Sequence, residues 1–348
     1  MALYTSALGY YSGGTQKFGL AGDFVTAPEI SPLFAQTIAC QYVQLQAAPM
    51  LASGADILEL GAGTGKLAAD LLLELQDLGV FPEHYFILEV SDHLRHIQLE
   101  TCKKALPKDL FEKLDWLETL PERFNGLILG NEVLDAIPVQ IIHKTADGWR
   151  ERGVAFKNGF VWQDAPIAAS RLASSLPQYF TDLPQGYVTE ICPAASGLMR
   201  SLAETLECGA ILLIDYGFSA HEYYHPQRNQ GTLMCHFQHH AHDNPLIHVG
   251  LQDITAHVDF TQIAQAGEAH GISLAGYITQ AQFLMNCGIL DILSQHSPDS
   301  PQFMQLAAAA QKYLSPAEMG DLFKVIAFTK GLDEPLIGFM QGDKSHTL

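Results

Sequence analysis

The stretch Asp56-Ile57-Leu58-Glu59-Leu60-Gly61-Ala62-Gly63-Thr64-Gly65-Lys66 sets a short apolar run directly before three alternate glycines. The run has the length of a strand, and leucines recur at helical spacing over residues 66–78, so the spacing predicts strand, turn and helix in succession. Glycines at such a turn let the backbone pass close to a ligand, and the following helix points its first N–H groups at that ligand. Two ligand classes fail on spacing. A phosphate loop needs a glycine where Leu60 stands and a hydroxyl where Leu67 stands. A dinucleotide turn needs its third glycine at the position of Lys66, but Gly65 comes one residue early.

Outward from this turn the pattern repeats. Residues 85–90 read as a strand followed by a helix to about Leu106, and residues 126–130 as another strand. After a helix over 193–207, residues 209–217 read as a buried central strand ending in Asp215-Tyr216-Gly217. Alternating strands and helices predict an α/β fold on a parallel sheet. Residues 1–50 are expected as a Gly-rich loop and a helix covering the site, and 51–138 as the first part of the core. An inserted β-hairpin region follows over 139–185, with turn signals at Asp147-Gly148 and Asn158-Gly159. The core continues over 186–217, and 218–257 reads as a long lid-like loop. Residues 258–348 carry helices and two last strands, 272–278 and 324–329, that close the sheet.

Composition removes further possibilities. Of 348 residues 48% are hydrophobic and 16% charged, the balance of a folded enzyme. Acidic residues outnumber basic ones 38 to 19, so a phosphate backbone is repelled; a cationic protein segment or small amine would be attracted, although an acidic surface usually serves solubility alone. Nucleic acid is therefore not an expected partner. Cys40, Cys102, Cys192, Cys208, Cys235 and Cys287 form no C-x-x-C pair and read as reduced thiols. Residues 1–6 lack the start of a secretory signal and no apolar run reaches the length of a membrane span, so a cytoplasmic protein without membrane contact is expected. Histidines crowd over 221–248, but without H-E-x-x-H or a cysteine pattern, and no metal is expected.

Read as Glu59-x-Gly61-x-Gly63-x-Gly65, the turn resembles the first motif of class I methyltransferases. Longer strings are more specific: Gly9-Tyr10-Tyr11, Gly22-Asp23-Phe24-Val25-Thr26-Ala27-Pro28-Glu29, Asn131-Glu132-Val133-Leu134-Asp135-Ala136-Ile137-Pro138, Glu190-Ile191-Cys192-Pro193 and Asp253-Ile254-Thr255-Ala256-His257-Val258-Asp259-Phe260. Through these the sequence resembles, over essentially its full length, the MidA-like methyltransferases, a family that includes the mitochondrial assembly factor for respiratory complex I. The resemblance implies a Rossmann-like, seven-stranded class I methyltransferase core with inserted β-hairpins and helices. It also implies S-adenosyl-L-methionine as methyl donor and protein arginine methylation, on a complex I subunit or its bacterial counterpart. Two departures stand out. The family usually shows G-P-G-R-G-T where this chain has Gly61-Ala62-Gly63-Thr64-Gly65-Lys66, and it usually has a further helix ahead of the position of Leu3-Tyr4.

The cofactor-site candidates are Thr26, Pro28, Glu29, Glu59, Gly61, Gly63, Gly65, Glu89, Asp115, Trp116 and Asn131. Glu89, at the end of the second strand, stands where a carboxylate would accept hydrogen bonds from ribose hydroxyls. Asn131, Glu132 and Asp135 lie just beyond the 126–130 strand, at the edge where a doubly wound sheet opens to substrate. A planar guanidinium acceptor needs carboxylates to hold it by paired hydrogen bonds, so these three are the first acceptor candidates. A turn-capping Asp135 and a solvated Glu132 are the alternatives. Glu190 and Asp215 are second candidates, with bonding of loop backbone equally open. The expected partner is a protein with an accessible arginine, and a homodimer is compatible with the sequence. The same core would also support a small-molecule methyltransferase or an assembly chaperone that keeps the fold without catalysis.

Overall fold

The computed structural model describes residues 2–5, 8–11, 26–51, 54–167, 180, 182–238 and 240–348. The first four strands are β1 (Asp56–Leu60), β2 (Tyr85–Leu88), β3 (Leu114–Leu117) and β4 (Phe124–Asn131). A meander of β5 (Gln140–Thr145), β6 (Gly148–Phe156) and β7 (Phe160–Pro166) follows, and then β8 (Val188–Ile191), which pairs with β5. The long β9 (Leu206–Phe218) precedes β10 (Met234–Phe237), β11 (His240–His242), β12 (Asp253–Thr255), β13 (Val258–Asp259), β14 (Ser273–Thr279) and β15 (Phe323–Lys330). The main sheet runs β14-β15-β9-β4-β1-β2-β3, with β13 added alongside β9. Its pairings are parallel except those of β15, which runs against both β9 and β14.

Period-two side-chain alternation builds a core on each face of that sheet. From β1 and β4, Ile57, Leu127 and Leu129 join helices α1 (Ala27–Ile30), α2 (Leu33–Gln46) and α3 (Lys66–Asp77) on one face. Leu58, Leu60 and Ile128 pack on the other against α5 (Pro193–Thr205) and α6 (Phe260–Ala269); α4 (Asp92–Ala105) lies between α3 and α5 in the chain. Strands covered on both faces need no polar side, which is why residues 127–129 of β4 and 210–214 of β9 read as unbroken apolar runs.

The inserted sheet has the order β7-β6-β5-β8. Residues 188–191 pair with β5, so the chain returns to the core only with α5, after the expected position 186. Residues 218–257, expected as a lid-like loop, contain the antiparallel sheet β11-β10-β12. Its strands are only three or four residues long and mix polar with apolar residues, which hides them from pattern reading. The short, Asp-containing β3 escaped for the same reason. Of the expected covering segment 1–50, residues 1, 6–7 and 12–25 lie outside the described residues. Among the described residues no helix is long and apolar enough to cross a membrane.

Candidate active site

Strand order reverses around β1, and there the carboxyl ends of β1, β2 and β4 open onto a cavity of about 230 Å³. The glycine turn forms its floor, with φ positive at Gly61, Gly63 and Gly65. A Cβ on Gly63 would meet no protein atom within 4 Å. Gly65 differs from its neighbours: a Cβ there would stand 3.0 Å from the Cα of Gln98. It seats α3 against α4 and does not line the cavity, a correction to its expected role.

Two acids project into the cavity from β1 and the end of β2. Glu59 accepts a hydrogen bond from the Tyr85 hydroxyl at 2.7 Å. Burial pushes its carboxyl up to about 7, with Tyr85 opposing and Glu89 adding to the shift. Glu89 accepts from the Ser91 backbone N–H at 2.9 Å and from Gln98 Nε2 at 2.8 Å, and burial raises it too. Gln98 in turn accepts from Trp116 Nε1 at 3.0 Å. Trp116 thus stands behind Glu89 as a support, outside the cavity, and exposed Asp115 faces His84 at 3.4 Å. Both were expected at the cofactor. Alternation along β3 turns one side chain inward to α4 and the other to solvent. Thr26, Pro28 and Glu29 do line the cavity, and Thr64 Oγ1 donates to Glu29, joining the glycine turn to α1.

Across the cavity lie Asn131, Glu132 and Asp135. Glu132 has φ 53, a conformation that aims the chain sharply out of β4. Asn131 Nδ2 donates to its Oε1 at 3.2 Å. Burial pushes Glu132 up to about 8, and Asp135 adds to the effect. Asp135 accepts from the Tyr216 hydroxyl through one carboxyl oxygen, and burial lifts it to about 6. Its other oxygen, Oδ1, is buried without a hydrogen bond of good geometry, although the backbone N–H groups of Ala136 and Asp135 oppose the upward shift; Oδ1 of Asn131 is likewise unpartnered. Tyr4, Tyr11 and Asp253 complete this wall and were not singled out from the sequence. Tyr11 and Asp253 stand inside two of the strings that carry the family resemblance, but no local spacing announces a role for them.

Glu190 and Asp215 do not line the cavity. Asp215 is fully buried and accepts from the backbone N–H groups of Leu134 at 2.9 Å, Asp135 at 3.2 Å and Tyr216 at 2.9 Å. It shapes the loop that carries Asp135. Glu190 accepts from the N–H groups of Thr232 and Leu233 and from the Thr232 and Tyr223 hydroxyls, tying β8 to the segment before β10. A buried carboxylate with this many donors is already satisfied, so both belong to the scaffold.

A family model described as "Putative S-adenosyl-L-methionine-dependent methyltransferase" matches residues 33–278. A crystal structure from Burkholderia thailandensis, bound to S-adenosyl-homocysteine, is 50% identical with a TM-score of 0.93, covering 100% of this chain and 90% of that one. The chain belongs to the MidA-like S-adenosyl-L-methionine-dependent methyltransferases. The mitochondrial protein arginine methyltransferase NDUFAF7 of Mus musculus is 30% identical over 93% of this chain and 78% of its own length. The same protein of Homo sapiens is also 30% identical, over 93% of this chain and 77% of its own.

The cavity of this methyltransferase suits its cofactor. Open space above Gly63 admits a bulky group against the backbone, and Glu89 has lone pairs beyond the two its scaffold donors use. S-adenosyl-L-methionine supplies a methyl group on a sulfonium, a good leaving group. What is left to the chain is to align the acceptor, exclude water and manage one proton.

Proposed function

We propose that this methyltransferase acts on an arginine side chain of a protein. In this reading Thr26, Pro28, Glu29, Glu59, Gly61, Gly63 and Glu89 hold the cofactor, and Asn131, Glu132 and Asp135 hold the guanidinium. The observation that carries it is the buried, unpartnered carboxyl oxygen of Asp135, set in a cavity wall shared with Glu132 and with an equally unpartnered Asn131 oxygen. An unmet buried acceptor costs on the order of 1–3 kcal/mol. A planar cation with five N–H donors removes that cost, and its charge favours the ionised acids. The formal charge of −19 would draw a cationic segment to the surface, and the relatives named as protein arginine methyltransferases support the same acceptor. A subunit of respiratory complex I or its bacterial counterpart is the acceptor protein suggested by the family resemblance.

The residues divide the work simply. Asp135 and Glu132 fix the guanidinium so that one nitrogen attacks the methyl carbon in line, and a carboxylate takes the proton that this nitrogen loses. Incubating cell extract with the purified protein and radiolabelled cofactor tests the proposal. Label is expected in protein bands, and methylated arginine in their acid hydrolysate. Label confined to the small-molecule fraction would overturn it.

A further inference from the structure

The sheet β11-β10-β12 delivers an acid to the cavity. Asp253, first residue of β12, is 2% exposed and lines the same wall as Glu132 and Asp135. The strand is fastened to the acceptor loop itself: the Ala256 N–H donates to the Asp135 carbonyl at 3.2 Å. Asp253 also adds, after burial and Asp135, to the effects that hold the Glu132 carboxyl up, so the two acids feel each other's field. Asp253 Oδ1 accepts from its neighbour's N–H, that of Ile254, at 2.9 Å, and from the Tyr11 hydroxyl at 2.9 Å.

Tyr11 is itself pinned. Its carbonyl accepts from Ser91 Oγ, the N-cap of α4 two residues after Glu89, at 2.7 Å. Its ring stacks on Tyr4 at 5.4 Å, and the Tyr4 hydroxyl donates to the Ala136 carbonyl at 2.9 Å. The amino-terminal tyrosines therefore bridge the turn after β2, the loop after β4 and the start of β12. A scaffold of that kind fixes a carboxylate in place before any ligand arrives.

We propose that Asp253 is a third acceptor-binding carboxylate, positioned by the Tyr11 hydroxyl, and that with Glu132 and Asp135 it selects a guanidinium over a neutral side chain of the same shape. The inference rests on the arginine reading above and deepens it. Three carboxylates from two separate segments can engage several edges of a planar five-donor cation at once, while the unpartnered Asp135 oxygen shows that the scaffold leaves acceptor capacity for a ligand. Removing one charge should weaken the cation and leave a neutral analogue alone.

The test is calorimetric titration of the full chain, loaded with S-adenosyl-homocysteine, using N-acetyl-arginine amide and its neutral isostere N-acetyl-citrulline amide. The parent should prefer the arginine probe. In Asp253→Asn, which keeps the bond to Tyr11, that preference should fall at least 10-fold with S-adenosyl-homocysteine affinity unchanged. Tyr11→Phe keeps the ring and removes the hydroxyl's bond to the carboxylate; it should raise KM for an arginine peptide about threefold and leave kcat as it was. Equal affinity of parent and Asp253→Asn for the arginine probe overturns the proposal and leaves Asp253 as an anchor for Tyr11. A matching loss of S-adenosyl-homocysteine affinity also overturns it, by placing Asp253 in the support of the cofactor half. A parent with no preference between the probes sinks the arginine reading itself, and the role of Asp253 with it.

Discussion

The two walls of the cavity are built in opposite ways. On the cofactor side Glu59 and Glu89 are each held by scaffold donors, Tyr85 for one and Ser91 with Gln98 for the other, and all of these come from residues 59–98. On the acceptor side the wall is gathered from Tyr4 and Tyr11, the loop 131–136 and Asp253, and two of its buried oxygens have no partner. A wall whose polar groups are already met can afford only additional bonds to a ligand of fixed shape. A wall with unmet acceptors and crowded acids is less comfortable empty than filled, and what fills it best is a cation. On the reading proposed above, the difference separates recognition of an invariant cofactor from capture of a charged acceptor.

The strongest attempt to break that division is at the glycine turn. In Gly63→Val a branched side chain would project into the open space above the turn, on a residue whose φ of 54 disfavours it. Cofactor affinity should fall at least 100-fold, about 2.7 kcal/mol, in a protein that still folds. Calorimetry with S-adenosyl-L-methionine checks this. An unchanged affinity would remove Gly63 from the cofactor wall.

The same division decided what could be read from the sequence. The cofactor wall is local: strand, glycine turn, helix and strand-end acid follow one another within a few dozen residues, so periodicity and spacing locate Glu59, Gly61, Gly63 and Glu89 directly. Asn131, Glu132 and Asp135 stand out as polar residues just beyond the 126–130 strand, and their role toward a guanidinium comes from what the family strings imply. Asp253 and Tyr11 meet only through the tertiary fold, 242 positions apart in the chain, and no local pattern connects them. Glu190 and Asp215 failed in the other direction. A strand-end acid reads alike whether it faces a cavity or accepts backbone N–H groups, and the bonds to Leu134, Asp135, Thr232 and Leu233 come from segments whose approach cannot be read locally.

Asp135→Asn sharpens the comparison from the acceptor side. The amide keeps the size of the carboxyl and one acceptor oxygen, but it brings N–H donors toward a guanidinium and removes the charge. Methyl transfer to a protein acceptor should drop at least 10-fold, roughly 1.4 kcal/mol of transition-state stabilisation, while S-adenosyl-L-methionine binds as in the parent. The two rates and the two affinities are measured on the same preparations. Were cofactor affinity to fall in step with the rate, the walls would not be separable at Asp135.

The smallest effect follows from the crowding of acids in the ligand-free protein. Burial, Asp135 and Asp253 lift the Glu132 carboxyl from an ordinary value of 4.5 to about 8. An acid raised in the folded state keeps its proton where the unfolded chain has lost it. Its contribution to stability is thus fully present below pH 4.5 and disappears as pH rises through about 8. Asp135, lifted to about 6, and Glu59, lifted to about 7, act with the same sign, so the ligand-free protein should melt at lower temperature as pH rises from 5 to 8.5. Glu132→Gln cannot titrate and removes its own contribution while leaving those of the other raised acids. Its melting temperature should therefore decline less than the parent's over that range, by at least about 2 °C, the equivalent of ~1 kcal/mol in a chain of this size. Thermal melts of both proteins across the range decide the point: parallel declines would mean that Glu132 is ionised throughout, and that the acceptor wall is not strained by its own charge when empty.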